Sequence, residues 1–198
     1  MKTDLRERTH AMLRAELTDA AFELIVEHGY DAMTADELAR ALGISRASFF
    51  RYLGSKDDVI VSVMLGEDRQ FGDALRAVEP PRVASQWELL RIALAPAISL
   101  AESAPERQRA RLRLIQSAPE LGARLRRARV PQIDDLAAAL VERGTDEFAA
   151  AMLASAAVAV LDQCWSQWQR NERASLADIL DRAFAELDAA SSPARASS

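Results

Sequence analysis

Apolar positions along this chain recur every three or four residues and nowhere alternate, which predicts helices throughout and no strand. From Thr9 to His28 the stripe Leu13, Leu17, Ala20, Ala21, Leu24 and Ile25 marks a first helix, ended by Gly29 just past its last turn. Thr34, followed three residues on by Glu37, is a capping-box pattern and opens a short helix from Ala35 to Leu42, stopped by Gly43. Ser45 caps a third helix, Arg46 to Leu53. Gly54 breaks it, and Ser55 caps a long fourth helix with Asp57 and Asp58 in its first turn, where carboxylates suit the helix dipole.

The segment Glu79 to Arg82, "EPPR", reads as a linker. Beyond it Pro96, Pro105, Pro119 and Pro131 each start or kink a helix. Two further helices are predicted, from about Asp146 to Asn171 and from Ser175 to Ala190. The apolar run Phe148 to Leu161 is bounded by Glu147 and Asp162 and falls short of the roughly 20 residues that a membrane span needs, so it is expected to be a buried helix. Residues 191–198, small and polar, are expected to be a disordered tail.

Composition narrows the class. Of 198 residues, 49% are hydrophobic and 28% charged, with only 7 glycines and 7 prolines, which suits a helical globular protein. The single cysteine, Cys164, excludes an internal disulfide and fits a reducing cytoplasm. The N-terminal residues alternate in charge and contain no apolar signal core.

Charge then singles out one stretch. The chain carries a formal net charge of -5, yet Gly43 to Lys56, "GISRASFFRYLGSK", holds Arg46, Arg51 and Lys56 and no acid. Residues 1–60 contain eight Lys and Arg against eleven Asp and Glu, so a general basic footprint is absent and the positive charge is local. Lys2, Arg6, Arg8 and Arg14 add cations near the N-terminal arm.

The second and third helices have the spacing of a helix-turn-helix over residues 34–53. Ala39 lets the helices touch, Gly43 makes the turn, and Phe49 plugs the core. At 100° per residue Phe49 and Leu53 share one face, Ala47, Ser48 and Arg51 lie opposite, and Phe50 and Tyr52 flank. Phe49 is then the core residue and Phe50 its exposed neighbour. Ala47 is too small to block approach to a groove, and Arg46 and Arg51 are natural base or phosphate donors. Lys56 and the backbone N–H groups beside Thr34 are placed to meet phosphates.

The stretch Leu17 to Ile60 resembles the N-terminal domain of the TetR family of transcriptional regulators. The resemblance rests on the Ala20-Ala21 pair, Gly29-Tyr30, Thr34, Leu38-Ala39, the Gly43-Ile44-Ser45 turn, the aromatic cluster and Ser55-Lys56-Asp57. It implies that the third helix enters the major groove and that Lys56 meets the DNA backbone. DNA-contacting roles fall on Thr34, Ser45, Arg46, Ala47, Ser48, Phe50, Arg51, Tyr52 and Lys56. Two positions depart from the family: Phe50, where tyrosine is usual, and Leu53, where phenylalanine is frequent. Phe50 lacks a hydroxyl for a phosphate and offers an apolar face suited to a thymine methyl.

The expected architecture is all-α: a three-helix helix-turn-helix domain over residues 1–55, then a helical effector-binding and dimerisation domain over 56–190. The two last helices, one lined with alanine and one carrying Leu176, Ile179, Leu180, Ala183, Phe184 and Leu187, suit a four-helix bundle between two copies. An internal bundle of a monomer has the same pattern, but reading a palindromic operator on double-stranded DNA calls for a homodimer. The candidate ligand-holding set is Trp87, Leu90, Leu94, Ile98, Leu112, Ile115, Gln116, Leu161, Cys164, Trp165 and Trp168, with Asp162 and Gln163 as polar neighbours. The same stripes also read as plain core. The arginines from Arg107 to Arg129 read as a solvated face or as a receptor for an anion. "RLRLIQSAPELGARL", Arg111 to Leu125, resembles a TetR branch described as binding acyl-CoA-like ligands, which implies a small apolar or acyl-CoA-like ligand. The family resemblance further implies that ligand binding shifts the fourth helix and respaces the reading helices.

Catalysis finds no support. His10 and His28 form no HExxH pair, no glycine-rich phosphate loop is present, and one cysteine cannot make a CxxC pair. No cofactor or metal is expected, nor a membrane partner. A helical interaction protein, or a DNA binder without an effector, remains as an alternative to a ligand-responsive repressor.

Overall fold

The computed structural model describes residues 2–66, 68–79 and 85–191, with side chains from Arg8 onward. Among the described residues there are twelve α-helices, one 3-10 turn (Tyr30–Ala32) and no strand. The helices are α1 (Lys2–His28), α2 (Ala35–Ala41), α3 (Arg46–Leu53), α4 (Lys56–Leu65), α5 (Gln70–Arg76), α6 (Gln86–Ala93), α7 (Ala95–Ser103), α8 (Pro105–Ser117), α9 (Pro119–Ala128), α10 (Val130–Glu142), α11 (Glu147–Arg170) and α12 (Leu176–Ser191). Each of the four prolines sits in the first turn of a helix, α7, α8, α9 or α10, where its missing N–H forfeits no intrahelical bond. The linker at Glu79–Arg82 and the tail at 191–198 lie almost wholly outside the described residues.

The chain divides into two compact units, Met1–Gly66 with Arg113–Ala128, and Glu67–Leu112 with Arg129–Ser198. This differs from a division at Ser55, for two physical reasons. Val59 and Ile60 of α4 are buried in the same core as Phe22, Ile25, Leu38 and Phe49, and so are Ala118, just before α9, and Leu121 in its first turn. Burying Val59, Ile60 and Leu121 contributes about 1.5–3 kcal/mol each, so α4 and α9 belong to the helix-turn-helix unit energetically as well as spatially.

Two details of that unit differ from the sequence pattern. The buried stripe of α1 runs through Thr18, Ala21, Phe22 and Ile25, while Leu13 and Ala20 are exposed. From Arg8 to Glu16 α1 is exposed on every side, so those turns stand clear of the core. The fourth helix is also short: Gly66, at φ 68°, ends it after Leu65.

The second unit is built around α11, which packs against α10 and α12, with α5 on α10 and α6 on α12. Gly72 allows α5 its approach to α10, since a Cβ there would lie 2.0 Å from Asp135 Oδ2. Arg76 then spans the pair, donating to Asp135 at 3.1 Å and Glu142 at 2.9 Å. By length and composition α11 is apolar enough to cross a bilayer. However, Ala150, Ala154, Ala157, Val158, Leu161, Cys164, Trp165 and Trp168 are buried in the unit's own core, as expected of a core helix.

Candidate functional site

The arrangement of α2 and α3 is set by local bonds that the sequence specifies. Thr34 and Glu37 close the capping box of α2: the Glu37 N–H donates to Thr34 Oγ1 at 3.3 Å, and the Thr34 N–H donates to Glu37 Oε2 at 2.8 Å. The chain then turns at Gly43, whose φ of 68° an L side chain adopts only with strain. Ile44 N–H donates back to the Ala39 carbonyl at 3.0 Å, which fixes the angle at which α3 leaves α2. Ser45 caps α3, accepting from the Ser48 N–H at 3.1 Å, and its hydroxyl meets the Ser48 hydroxyl at 3.0 Å.

Phe49 and Leu53 anchor α3 in the core, and Phe50 is 45% exposed. Its ring meets Phe49 edge to face at 5.8 Å between centroids. Arg46, Ala47, Phe50 and Arg51 are exposed on the outer side of α3, with Ser48 and Tyr52 half-buried beside them. Arg46 donates to Asp36 on α2 at 2.6 Å, and its guanidinium carbon lies 5.4 Å from the Phe50 ring centroid. Arg51 lies over the Tyr52 ring at 4.7 Å and reaches Ser48 Oγ at 3.4 Å. Arg46 is thus tied to α2, and Arg51 is held against its own helix.

Lys56 is oriented differently from the phosphate-facing expectation. Its Nζ donates inward to the carbonyls of Tyr30 and, at 3.2 Å, Met33, and it sits 3.9 Å from the Tyr30 ring centroid. Next to it the Tyr30 hydroxyl donates to Asp57 Oδ1 at 2.6 Å. Burial first, and then that hydrogen bond and the Asp57 charge, push the Tyr30 phenol up to about 12. Asp58 completes the N-terminus of α4 by accepting from the Ser55 N–H at 2.8 Å, and Arg124 of α9 donates to its other oxygen. Nothing in the spacing of Arg124 foretells this contact, 66 residues away in sequence.

A cleft of about 530 Å³ adjoins α3, lined by His10, Ala11, Arg14, Ala15 and Thr18 of α1 with Arg51, Tyr52 and Ser62. The His10 and Tyr52 rings stand 5.8 Å apart there. Arg14 and Arg51 line the same cleft, whereas the side chains of Lys2 and Arg6 lie outside the described residues. His10 carried no sequence signal for this position.

The candidate ligand set is brought together only in part. Leu90, Leu94, Leu112, Leu161, Cys164, Trp165 and Trp168 are buried in the second unit, and Trp87 and Ile98 are half-buried in it. Ile115 instead packs against the core of the first unit, and Gln116 is exposed. Trp165 and Trp168 meet edge to face at 5.6 Å, and the Trp87 indole N–H donates to Ser191 Oγ at 2.9 Å. Asp162 pairs with Arg129 at 3.1 Å, while Gln163 is exposed. Among the described residues no group of His, Cys, Asp and Glu is placed to hold a metal.

An anchored α3 presenting two arginines and a small residue on its outer side, after a glycine turn from α2, defines a helix-turn-helix regulator of transcription. The chain belongs to the TetR family: residues 17–63 match the family described as bacterial regulatory proteins, tetR family, and residues 84–192 match the MftR C-terminal domain. A relative from Mycobacterium tuberculosis, described as a mycofactocin biosynthesis transcriptional regulator, MftR, is 29% identical over 171 residues, covering 85% of each chain. Among solved structures, Thermus thermophilus FadR, a TetR-family repressor in complex with lauroyl-CoA, superposes with a TM-score of 0.61 at 20% identity, covering 93% of this chain and 98% of its own. Bacillus subtilis FadR in complex with stearoyl-CoA gives 0.56 at 18% identity, covering 87% and 96%. At these identities the two structures speak for the fold. The family is one of regulators, and the chain is not an enzyme.

Proposed function

We propose that this regulator is a cytoplasmic repressor that binds an inverted-repeat operator as a homodimer and is released by a small apolar or acyl-CoA-like ligand. The observation that carries the DNA-binding part is the outer side of α3, where Arg46, Ala47, Phe50 and Arg51 are exposed and no carboxylate occurs from Gly43 to Lys56. Ala47 gives the groove edge access, Arg51 and Arg46 supply donors, and Phe50 supplies an apolar face. The overall acidity of the chain keeps non-specific attraction to DNA low, so the site has to be recognised through this one helix.

The homodimer is supported by α11. Its exposed positions Phe148, Met152, Ser155 and Ala159 lie at intervals of three and four residues and are uncharged. Phe148 is 74% exposed, a large apolar group to leave in water. A second copy packing there would form the four-helix arrangement with α12. The ligand part draws on the two FadR neighbours, which hold acyl-CoA, and on the tryptophan-lined core of the second unit.

The test is binding to DNA from beside the protein's own gene, titrated with salt. Arg51→Ala should weaken specific binding by about 1–3 kcal/mol, roughly five- to 150-fold, and leave non-specific binding almost unchanged. Equal loss on specific and random DNA would refute α3 as the reader.

A further inference from the structure

The cleft beside α3 is lined without a carboxylate, in a chain whose residues 1–60 hold eleven. Its α1 side, His10, Ala11, Arg14, Ala15 and Thr18, lies on one face of that helix, since residues four and eight apart are neighbours there. Ala11 and Ala15 leave room beside the imidazole and the guanidinium. The rest of the lining is Arg51 and Tyr52 of α3 and Ser62 of α4.

Among the described residues no carboxylate pairs with His10, Arg14 or Arg51. Arg46, by contrast, pairs with Asp36 at 2.6 Å. Two guanidinium groups lining one cleft repel each other, and an anion in the cleft converts that repulsion into attraction. From Arg8 to Glu16 α1 is exposed all round, so these turns carry the His10 and Arg14 side chains without any core of their own.

We propose that the cleft seats one phosphate of the DNA backbone, held by Arg14 and His10, and that the imidazole takes up a proton when DNA binds. Arg51 lines the cleft and is also exposed on the outer side of α3. A phosphate seated there sits beside the helix that meets the bases and fixes its register. Histidine is the side chain whose charge changes near neutral pH, and an adjacent phosphate favours its charged form. The charged and titratable groups lining the cleft with His10 are Arg14 on its own helix and Arg51 and Tyr52 on α3, while α4 contributes only the neutral Ser62. The inference rests on the DNA-binding reading above and adds α1 to the surface which that reading places on α3.

Binding of the full-length protein to DNA from beside its own gene and to random DNA is followed by fluorescence anisotropy. Salt is varied from about 0.05 to about 0.2 M and pH from about 6 to about 8. Arg14→Gln should weaken both DNAs alike, roughly tenfold at the lowest salt, and reduce the salt slope by about one, as loss of a phosphate contact does. Arg14→Lys, which keeps the charge, should retain the slope. Arg173→Gln, which removes an exposed charge after α11, should leave it unchanged. The unaltered protein should bind several-fold more tightly at the acid end of the range, and His10→Gln should remove most of that gain. Thermal melts check that each variant is folded.

An unchanged slope in Arg14→Gln overturns the phosphate seat. A pH dependence absent from the unaltered protein, or surviving in His10→Gln, overturns the proton uptake. Pyrophosphate at constant ionic strength separates the backbone from a free anion: displacement of DNA at micromolar concentration, lost in Arg14→Gln, would make the cleft a site for a soluble anion instead. Arg14-dependent binding with no preference for the DNA beside the gene would sink the sequence-specific reading and leave the seat standing. Sequence preference lost in Arg51→Ala, with a slope untouched by Arg14→Gln, would do the reverse.

Discussion

Arg124, on α9, donates to the carboxylate of Asp58, the same group whose other oxygen accepts the Ser55 N–H that caps α4. The start of α4 is therefore closed by a residue from a segment 66 positions later in the chain. Burial pushes the Asp58 carboxyl up, but the Ser55 N–H and hydroxyl and the Arg124 guanidinium outweigh it and hold the group below its ordinary value.

The sign of the pH effect follows. A carboxyl depressed in the folded state contributes stability above its unfolded pKa and loses it as pH falls through the folded value. Arg124→Ala should cost less than about 1 kcal/mol at neutral pH, because both side chains are 41% exposed and solvent screens them. Thermal melts of the two proteins should converge as the pH is lowered from about 7 to about 3. A difference that widened in acid would show that Arg124 acts other than through Asp58.

Tyr30 makes a second titration test. With its phenol pushed to about 12, Tyr30 contributes stability that is intact below the ordinary value near 10 and is lost as pH rises through about 12. The chain has two tyrosines, so phenolate absorbance should show a late phase that Tyr30→Phe removes. Asp57→Asn should bring that phase earlier, since it removes the carboxylate charge that opposes the phenolate.

The helices, their caps and the exposed outer side of α3 were legible in the sequence because each is set by neighbours. Thr34 finds Glu37 and Ser45 finds Ser48 within one turn, and Phe49 and Leu53 share a face whatever surrounds them. The prolines at 96, 105, 119 and 131 mark helix starts for the same local reason. What was not legible depends on long-range packing. Leu13 fits the helical stripe of α1 yet is exposed, because the core it would need does not extend along the first turns. Ile115 continues the apolar stripe of α8, but the division between units falls after Leu112 and places it with the helix-turn-helix. Lys56 stands at the expected position and points inward, because two carbonyls and the Tyr30 ring await it there.

Cys164 tests whether the tryptophan-lined core is open in the absence of ligand. The thiol is 2% exposed, and burial pushes it up to about 11. Thiolate is the reactive form, so an aromatic disulfide reagent at about pH 8 should leave the native protein unmodified over hours and react once per chain in denaturant. Rapid native reaction would mean that solvent already enters this core.

Phe49 and Phe50 are adjacent, chemically identical and opposed in role, which makes them the sharpest comparison on α3. Phe49 is fully buried, so Phe49→Ala should destabilise by about 3–5 kcal/mol and abolish DNA binding through unfolding of the first unit. Phe50 meets solvent and the Arg46 guanidinium, so Phe50→Ala should change stability by no more than about 1 kcal/mol. Its effect should appear on DNA instead, as reduced discrimination at one base pair of each half-site with non-specific binding retained. Phe50→Tyr, which restores the hydroxyl usual in the family, should bind DNA more tightly with less preference at that pair. Chemical denaturation and gel retardation on operator variants read the two effects apart. Should Phe50→Ala destabilise as much as Phe49→Ala, the second ring is a core residue and the reading surface is narrower than its exposure implies.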